Sequence, residues 1–413
     1  MSRDDKNFFV KIIMAVFIFA GFSLALLFLI KTGNNPWFEN FLAIDGPSYL
    51  KGIDSILNET GFIRLKDIYH SAGYQIYLAS IKLLLPEIWE QNFILIVKLL
   101  SFLIFTLTGG LIFHLGKKLL GVKVALLALF LMAFSAKFHI YNTLLQGEVL
   151  QAFFLSLVAF FLYKEYHSTK KLKYWIFLGI LSSVICLFQT RFLLLIPCLV
   201  IYLFYRANSL KAIDWKQQTL GFGIPILLIL GGWCFEQTVA HGELVVVSKG
   251  SDFRLRSAYS PASMGYAFPY PELKEPSGVN FILENPLQTI WLFKERFLYF
   301  WDIKSDVWNL GNPFLFLLRG RIATSSIDGI LQFFFMLMFF FGIFSSFRGE
   351  RKILLFHLLL PLLINFIGPF LVFGSSRFLI PGLPIVFLFQ ANGLYQIGTW
   401  ILKKKDGLLK DHP

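Results

Sequence analysis

Charge is scarce in this 413-residue sequence, where Asp, Glu, Lys and Arg together make up 15%. An ordinary soluble domain carries about a quarter, so the shortfall argues against water as the main solvent. Cysteine is rarer still. The three present, Cys186, Cys198 and Cys234, all lie within apolar stretches, without C-x-x-C spacing or a neighbouring histidine. They read as small buried hydrophobes rather than as a metal or redox site. Long basic tracts with interleaved polar residues are also missing. The net charge of +13 sits instead in short clusters at the ends of apolar runs, as cytoplasmic loops require, and nucleic acid is not expected as a partner. There is no internal repeat and no low-complexity tract.

What the sequence has in quantity is apolar surface: 56% hydrophobic and 18% aromatic residues, with a mean hydropathy of +0.65. Apolar runs of spanning length fall at 8–30, 92–116, 122–141, 144–163, 174–189, 190–206, 217–235, 325–346, 353–373 and 378–400. These predict an all-α integral membrane protein, a single polytopic domain over 1–413 with about ten transmembrane helices. The first run is too long for a signal-peptide core and is followed by no small-x-small cleavage site, so it reads as an uncleaved span. The stretch 174–206 is long for one span and short for two, and Arg191 in its middle favours a break at Gln189-Thr190-Arg191.

Lys117-Lys118 with Lys123, Lys170-Lys171-Lys173, the basic stretch 206–216, the loop 348–352 and Lys403-Lys404-Lys405 all fall on one face, which is then cytoplasmic. Two long segments are left for the other face. In the first, 31–91, Tyr49, Leu50, Ile53, Ile56 and Leu57 form one helical stripe, and 73–85 forms a second, more apolar helix that ends at Pro86. Both suit helices lying in the membrane interface. The second segment, 236–324, is polar and proline-bearing, too short for an independent enzyme domain but long enough for a lid.

Four ionisable residues stand out against this background. Asp45 precedes Gly46-Pro47-Ser48-Tyr49, where it either caps the following helix or presents a carboxylate to a cavity at the membrane interface. Glu148, in Gln146-Gly147-Glu148-Val149, opens an apolar run. It either complements the positive helix end or serves a function that offsets the cost of a carboxylate at membrane depth. Arg191 and Arg377 are the cationic counterparts, either snorkelling to the interface or holding a phosphate through bidentate guanidinium geometry. Lys137 and His139 flank the same face. His70, in Tyr69-His70-Ser71-Ala72-Gly73-Tyr74, has no second histidine at ligand spacing, so no metal site is expected.

In order along the chain these positions resemble the C-type (GT-C) glycosyltransferases that use polyprenyl-phosphate sugars, such as protein O-mannosyltransferases and the lipid A aminoarabinose transferase. The likeness rests on Asp45 in the first extracytoplasmic loop, His70-Ser71-Ala72-Gly73-Tyr74 where the family has a basic-Pro-Pro-Gly-Tyr element, and Glu148 at the head of the fourth span. It continues with Thr190-Arg191-Phe192 for a Thr-Arg-Pro element and ends with Arg377-Phe378-Leu379-Ile380-Pro381-Gly382-Leu383-Pro384. Both prolines of the second motif and the proline of the fourth are absent. The resemblance implies about ten transmembrane helices with two interface helices in the first extracytoplasmic loop, in a plasma (inner) membrane with the active site outside. It implies an inverting hexosyl- or pentosyltransferase moving sugar from a polyprenyl-phosphate donor to a glycan, lipid or protein acceptor. Asp45 and Glu148 would then be catalytic, and His70, Tyr74, Lys137, Arg191 and Arg377 would bind substrate. No cofactor is required, although a divalent metal ion is compatible with the chemistry. A lipid-linked saccharide transporter or flippase, and a polysaccharide ligase or polymerase, are the alternative readings of the same charge pattern.

Overall fold

A polypeptide in lipid has no water to satisfy its backbone, so helices are the economical solution for a chain this apolar. The computed structural model agrees: every regular element among the described residues is helical. The described residues are 46–60, 70, 72–167, 172–210, 215–249, 251–265, 276–304, 326–347, 352–372 and 374–410. The expected first span at 8–30 and the carboxylate of Asp45 lie outside them.

The first described helix, α1 (Gly46–Ser55), continues as a π-turn over Ile56–Thr60. It buries Tyr49, Ile53 and Ile56, the stripe expected from their spacing. Helix α2 (Ala72–Leu84) follows and packs against α1 and the start of the bundle. A 3-10 turn at Glu87–Asn92 leads into α3 (Phe93–Leu119), a 27-residue span.

The next expected span is bent. Helix α4 (Val122–Ala133) stops, and α5 (Ala136–Thr143) restarts with Ser135 as its N-cap. The two axes meet at 52°. Helix α6 (Glu148–His167) is unbroken. Helix α7 (Leu172–Phe188) is separated from α8 (Leu195–Leu210) by a 3-10 turn over Thr190–Leu194, the break that Arg191 suggested. Helix α9 (Trp215–Ile226) runs through a π-turn at Leu227–Gly231 into α10 (Gly232–His241). Pro225 lies just ahead of that π-turn, and a missing amide hydrogen is a known cause of such widening.

Three short helices follow, α11 (Ser251–Ala258), α12 (Val279–Glu284) and α13 (Pro286–Phe300). The bundle closes with α14 (Ser326–Ser346), α15 (Lys352–Leu371), a 3-10 turn over Ser376–Gly382, and α16 (Leu383–Lys410). Among the described residues, five helices are long and apolar enough to cross a membrane, or six if the bent pair counts as one span; Leu172–Phe188 and Leu355–Leu371 are apolar but shorter. The expected runs beyond the first thus coincide with helices, and several are broken or short.

Small residues bring helices close where no hydrophobic drive exists between apolar surfaces in lipid. A Cβ added at Gly342 of α14 would collide with the Phe389 carbonyl of α16, and one at Gly393 of α16 would collide with the Met338 carbonyl of α14. Asn392 seals this crossing by donating to the Gly342 carbonyl at 3.0 Å and the Ser346 hydroxyl at 2.8 Å. Gly179 of α7 lies equally close to the Phe222 carbonyl of α9.

Buried polar groups are not confined to the Glu148 end of the bundle. The end of α6 remote from Glu148 holds a second buried network. There Tyr202 donates to Glu165 at 3.2 Å and is hydrogen-bonded to His357 at 2.7 Å, while Arg206 lies 3.5 Å from Glu165. It joins α6, α8 and α15. Its members are scattered singly through apolar runs, which is why the sequence concealed it.

Candidate functional site

At the other end, the same three helical lines converge on a cluster of charges. Glu148 is the first residue of α6, so its carboxylate meets the positive end of the helix dipole. It is 1% exposed. Its Oε1 accepts a hydrogen bond from Arg377 Nε. Arg377 stands at the head of the 3-10 turn that interrupts the apolar run into α16. The Ser375 side chain caps that turn by accepting from the Arg377 amide at 3.4 Å. The other oxygen of Glu148, Oε2, is buried without a hydrogen-bond partner among the described residues.

Arg191 reaches the same place from the break between α7 and α8. Its Nη2 donates to Gln151 Oε1 at 3.4 Å, one helical turn below Glu148. The guanidinium lies between two rings, 5.0 Å from the Phe192 centroid and 5.0 Å from that of Phe378. Asn365 of α15 holds this second ring by donating to the Phe378 carbonyl at 3.1 Å. Room for the Arg191 stem comes from Gly368 of α15, where a Cβ would come within 2.8 Å of Arg191 Cβ. Two of its nitrogens, Nε and Nη1, are buried with no partner among the described residues. Buried donors without acceptors are costly, and an anion is the kind of group that would satisfy them. Glu148 can neutralise only one of the two arginines.

The interface helices supply an aromatic wall. Tyr74 of α2 meets Tyr49 edge-on at 4.9 Å, and Tyr49 in turn meets His70 at 5.5 Å. Gly147 is the close point between this wall and α6, since a Cβ there would lie 3.5 Å from Tyr74 Cβ. Burial, followed by the neighbouring Tyr77, Tyr49 and Glu148, pushes the Tyr74 phenol well above its usual range, so it stays protonated as a donor. Its hydroxyl has no partner among the described residues.

The residues expected from sequence thus divide. Glu148, Arg191 and Arg377 converge, with Tyr74 beside Glu148 and His70 one ring further out. Asp45 immediately precedes α1 in the chain and lies outside the described residues. Lys137 forms an ion pair with Asp302 at the end of α13, in a mostly buried contact. Asp302 is the one non-glycine residue among those described with a positive φ, 61°. His139 is buried in α5, its Nε2 hydrogen-bonded to the Ala133 carbonyl at 2.7 Å. Sequence reasoning missed Gln151, Asn365 and Gly368. For Gln151 a signal was present, because a glutamine three residues after Glu148 occupies the same helix face. Among the described residues no group of three or more His, Cys, Asp or Glu side chains could hold a metal ion.

Residues 86–232, which carry Glu148 and Arg191, match the family described as dolichyl-phosphate-mannose-protein mannosyltransferase. No curated protein sequence matches the chain. Among solved structures, the oligosaccharyltransferase of Archaeoglobus fulgidus in its apo form is similar with a TM-score of 0.53 and 13% identity, over 98% of this chain and 52% of that one. The oligosaccharyltransferase AglB of the same organism, in complex with an inhibitory peptide and a dolichol-phosphate, gives 0.53 and 12%, over 99% and 52%. The chain spans about half the length of these structures, and at this identity the likeness is one of fold. The chain is therefore a membrane protein with the C-type glycosyltransferase fold, whose residues 86–232 match the dolichyl-phosphate-mannose-protein mannosyltransferase family.

Proposed function

We propose that this protein is a membrane glycosyltransferase that moves a hexosyl or pentosyl group from a polyprenyl-phosphate donor to an extracytoplasmic glycan, lipid or protein acceptor. The observation that carries this reading is the meeting of two arginines and one carboxylate at a single end of the bundle, with two Arg191 nitrogens unpartnered among the described residues. A lipid-borne phosphate offers the missing acceptors, and its charge matches the surplus positive one. The family match and the fold support a lipid-linked donor.

In this reading the acceptor hydroxyl attacks the anomeric carbon from the face opposite the phosphate. The new C–O bond forms as the bond to the phosphate oxygen breaks, so the configuration inverts. The acceptor proton passes to Asp45, and the polyprenyl phosphate departs with the bonding electrons. Its leaving ability removes the need for a general acid, leaving one carboxylate base and cationic stabilisation of the phosphate as the requirements. Arg191 is the principal phosphate ligand. Arg377 joins it when the phosphate shares or displaces the Glu148 contact, and Glu148 keeps Arg377 in place while the site is empty. Tyr74 donates from the protonated phenol, and His70 lines the approach. Lys137, engaged by Asp302, pins the outer loop rather than the donor.

The distribution of the basic clusters supports a site on the extracytoplasmic side of a plasma membrane. Direct binding of undecaprenyl phosphate to purified protein tests the proposal. Wild type should bind, Arg191→Ala should lose most of the affinity, and Arg191→Lys should recover only part of it. Equal binding by Arg191→Ala and wild type, with both well folded, would remove the phosphate assignment. Mass spectrometry of surface glycans and lipids from cells with and without the protein would then identify the acceptor by its missing residue.

A further inference from the structure

Helix α13, Pro286–Phe300, has two faces of opposite character. One is fastened to the last turn of α15 at three successive levels. Leu292 packs in one apolar cluster with Val372. The Arg296 guanidinium is fully buried and donates to the carbonyls of Phe370 at 3.2 Å and Leu371 at 3.1 Å, two of the unsatisfied acceptors at that helix end. Phe300 meets the rings of Phe366 at 5.0 Å and Phe370 at 5.1 Å. These contacts fix the depth of α13. It lies level with the end of an apolar helix, the level at which a bilayer crossed by that helix would give way to headgroups.

The opposite face is apolar and open. Leu287 is 82% exposed, Ile290 64% and Trp291 43%, at i, i+3 and i+4, and Leu283 of the preceding helix α12, across the break at Asn285, is 74% exposed as well. Lys294 is exposed at the next position of the same stripe. A contiguous patch of large apolar side chains facing water is rare in proteins unless something covers it. The depth set by α15 states what is available at that level. A stripe of leucine, isoleucine and tryptophan ending in a lysine is the pattern of a helix lying in a membrane interface.

We infer that α13 is an interfacial helix, with Leu283, Leu287, Ile290 and Trp291 immersed in the lipid leaflet at the Glu148 end of the bundle. The segment expected from its polarity to be a lid is then, in this part, a float that rests on the bilayer. Its buried face is bonded to the stretch immediately before Arg377, so the leaflet surface sets the height of the arginine relative to a lipid-borne phosphate. The immersion itself does not depend on what the site transfers.

The test uses full-length protein in nanodiscs with its three cysteines replaced by alanine and a single cysteine at residue 290 or 287 carrying the fluorophore NBD. Immersion predicts blue-shifted emission, protection from aqueous iodide, and stronger quenching by lipids with a nitroxide at position 5 of the acyl chain than at position 16. Such a profile corresponds to a helix about 5–10 Å below the headgroup boundary. A label at Glu284, whose side chain departs from the stripe, should stay open to iodide. Iodide quenching at both 287 and 290 would overturn the inference. So would protection from iodide and lipid quenchers alike with crosslinking between copies, which would make the stripe an interface between chains. Neither readout requires transferase activity, so failure here is distinct from failure of the proposed reaction.

Discussion

Removing Arg377 should damage this protein more than removing its partner, and the asymmetry follows from burial. Glu148 is 1% exposed, whereas the Arg377 side chain is 21% exposed. In Arg377→Gln, a carboxylate that has lost its hydrogen-bonded cation and keeps only the charge of Arg191 nearby stays inside the bundle, with Oε2 already lacking a partner among the described residues. Loss of one member of a buried pair typically costs about 3–5 kcal/mol. In Glu148→Gln the guanidinium can turn towards the open side and keep part of its hydration, so a cost of about 1–2 kcal/mol is expected. The double variant leaves no unpaired carboxylate and should lie near Glu148→Gln rather than at the sum of the two losses. Coupling within the pair is then about 3–5 kcal/mol, at the upper end of what directly contacting residues show. Thermal unfolding of all four proteins in one detergent, followed by tryptophan emission, measures the order. Undecaprenyl phosphate should raise the midpoint of wild type and Glu148→Gln, because each retains both arginines. Strictly additive losses, or a Glu148→Gln variant less stable than Arg377→Gln, would refute the burial argument.

Asp45→Asn should leave expression and the thermal midpoint unchanged, because Asn caps a helix about as well as Asp, and should lower turnover by roughly 10²–10⁴-fold if Asp45 is the base; near-normal transfer would end that role. Tyr74→Phe removes a buried hydroxyl without a described partner, so stability should hold while donor or acceptor affinity falls by about fivefold, the worth of one hydrogen bond of ~1 kcal/mol. Gly368→Val places branched carbons against the Arg191 stem and should raise the donor KM in a steady-state assay more than it lowers the midpoint. Lys137→Met should destabilise by removing the Asp302 ion pair, yet leave undecaprenyl phosphate affinity intact; a lost affinity would return Lys137 to the phosphate site. In a background without Cys186, Cys198 and Cys234, single cysteines at the exposed positions 87 and 284 should react with an impermeant maleimide in intact cells. Labelling confined to permeabilised cells would invert the topology.

Much of this architecture could be read from the chain because lipid imposes a one-dimensional rule. Runs of spanning length had to be helices, and α3, α6, α14 and α16 lie where those runs fall. The break at Arg191 was legible for the same reason, since a guanidinium interrupts the run. What stayed hidden depends on pairing across distance. Nothing near Glu148 points to Arg377, 229 positions away. Lys137 resembled a free cation until the fold brought Asp302 to it from 165 residues downstream. The bend between α4 and α5 escaped notice because 122–141 has the length of one span and the capping role of Ser135 appears only with its geometry. The Glu165–Tyr202–His357 network is invisible for a related reason, as its members come from three separate helices.

The glycine crossing of α14 and α16 also bears on how the protein is made. Most of the α16 span is enclosed by other helices, with Ile385, Val386, Leu388, Phe389 and Ala391 all buried. Yet it is synthesised after nearly every helix that encloses it. Before it arrives, the nascent bundle presents a vacant groove to lipid, lined by Met338 and Gly342 on one side and by Leu115 and Val124 on the other. Until that vacancy is filled, Glu148 waits without its arginine. Insertion of this one helix closes the core and completes the charge cluster in a single event, so chains stalled before it would be both unpacked and inactive, and recognisable as such to membrane proteases.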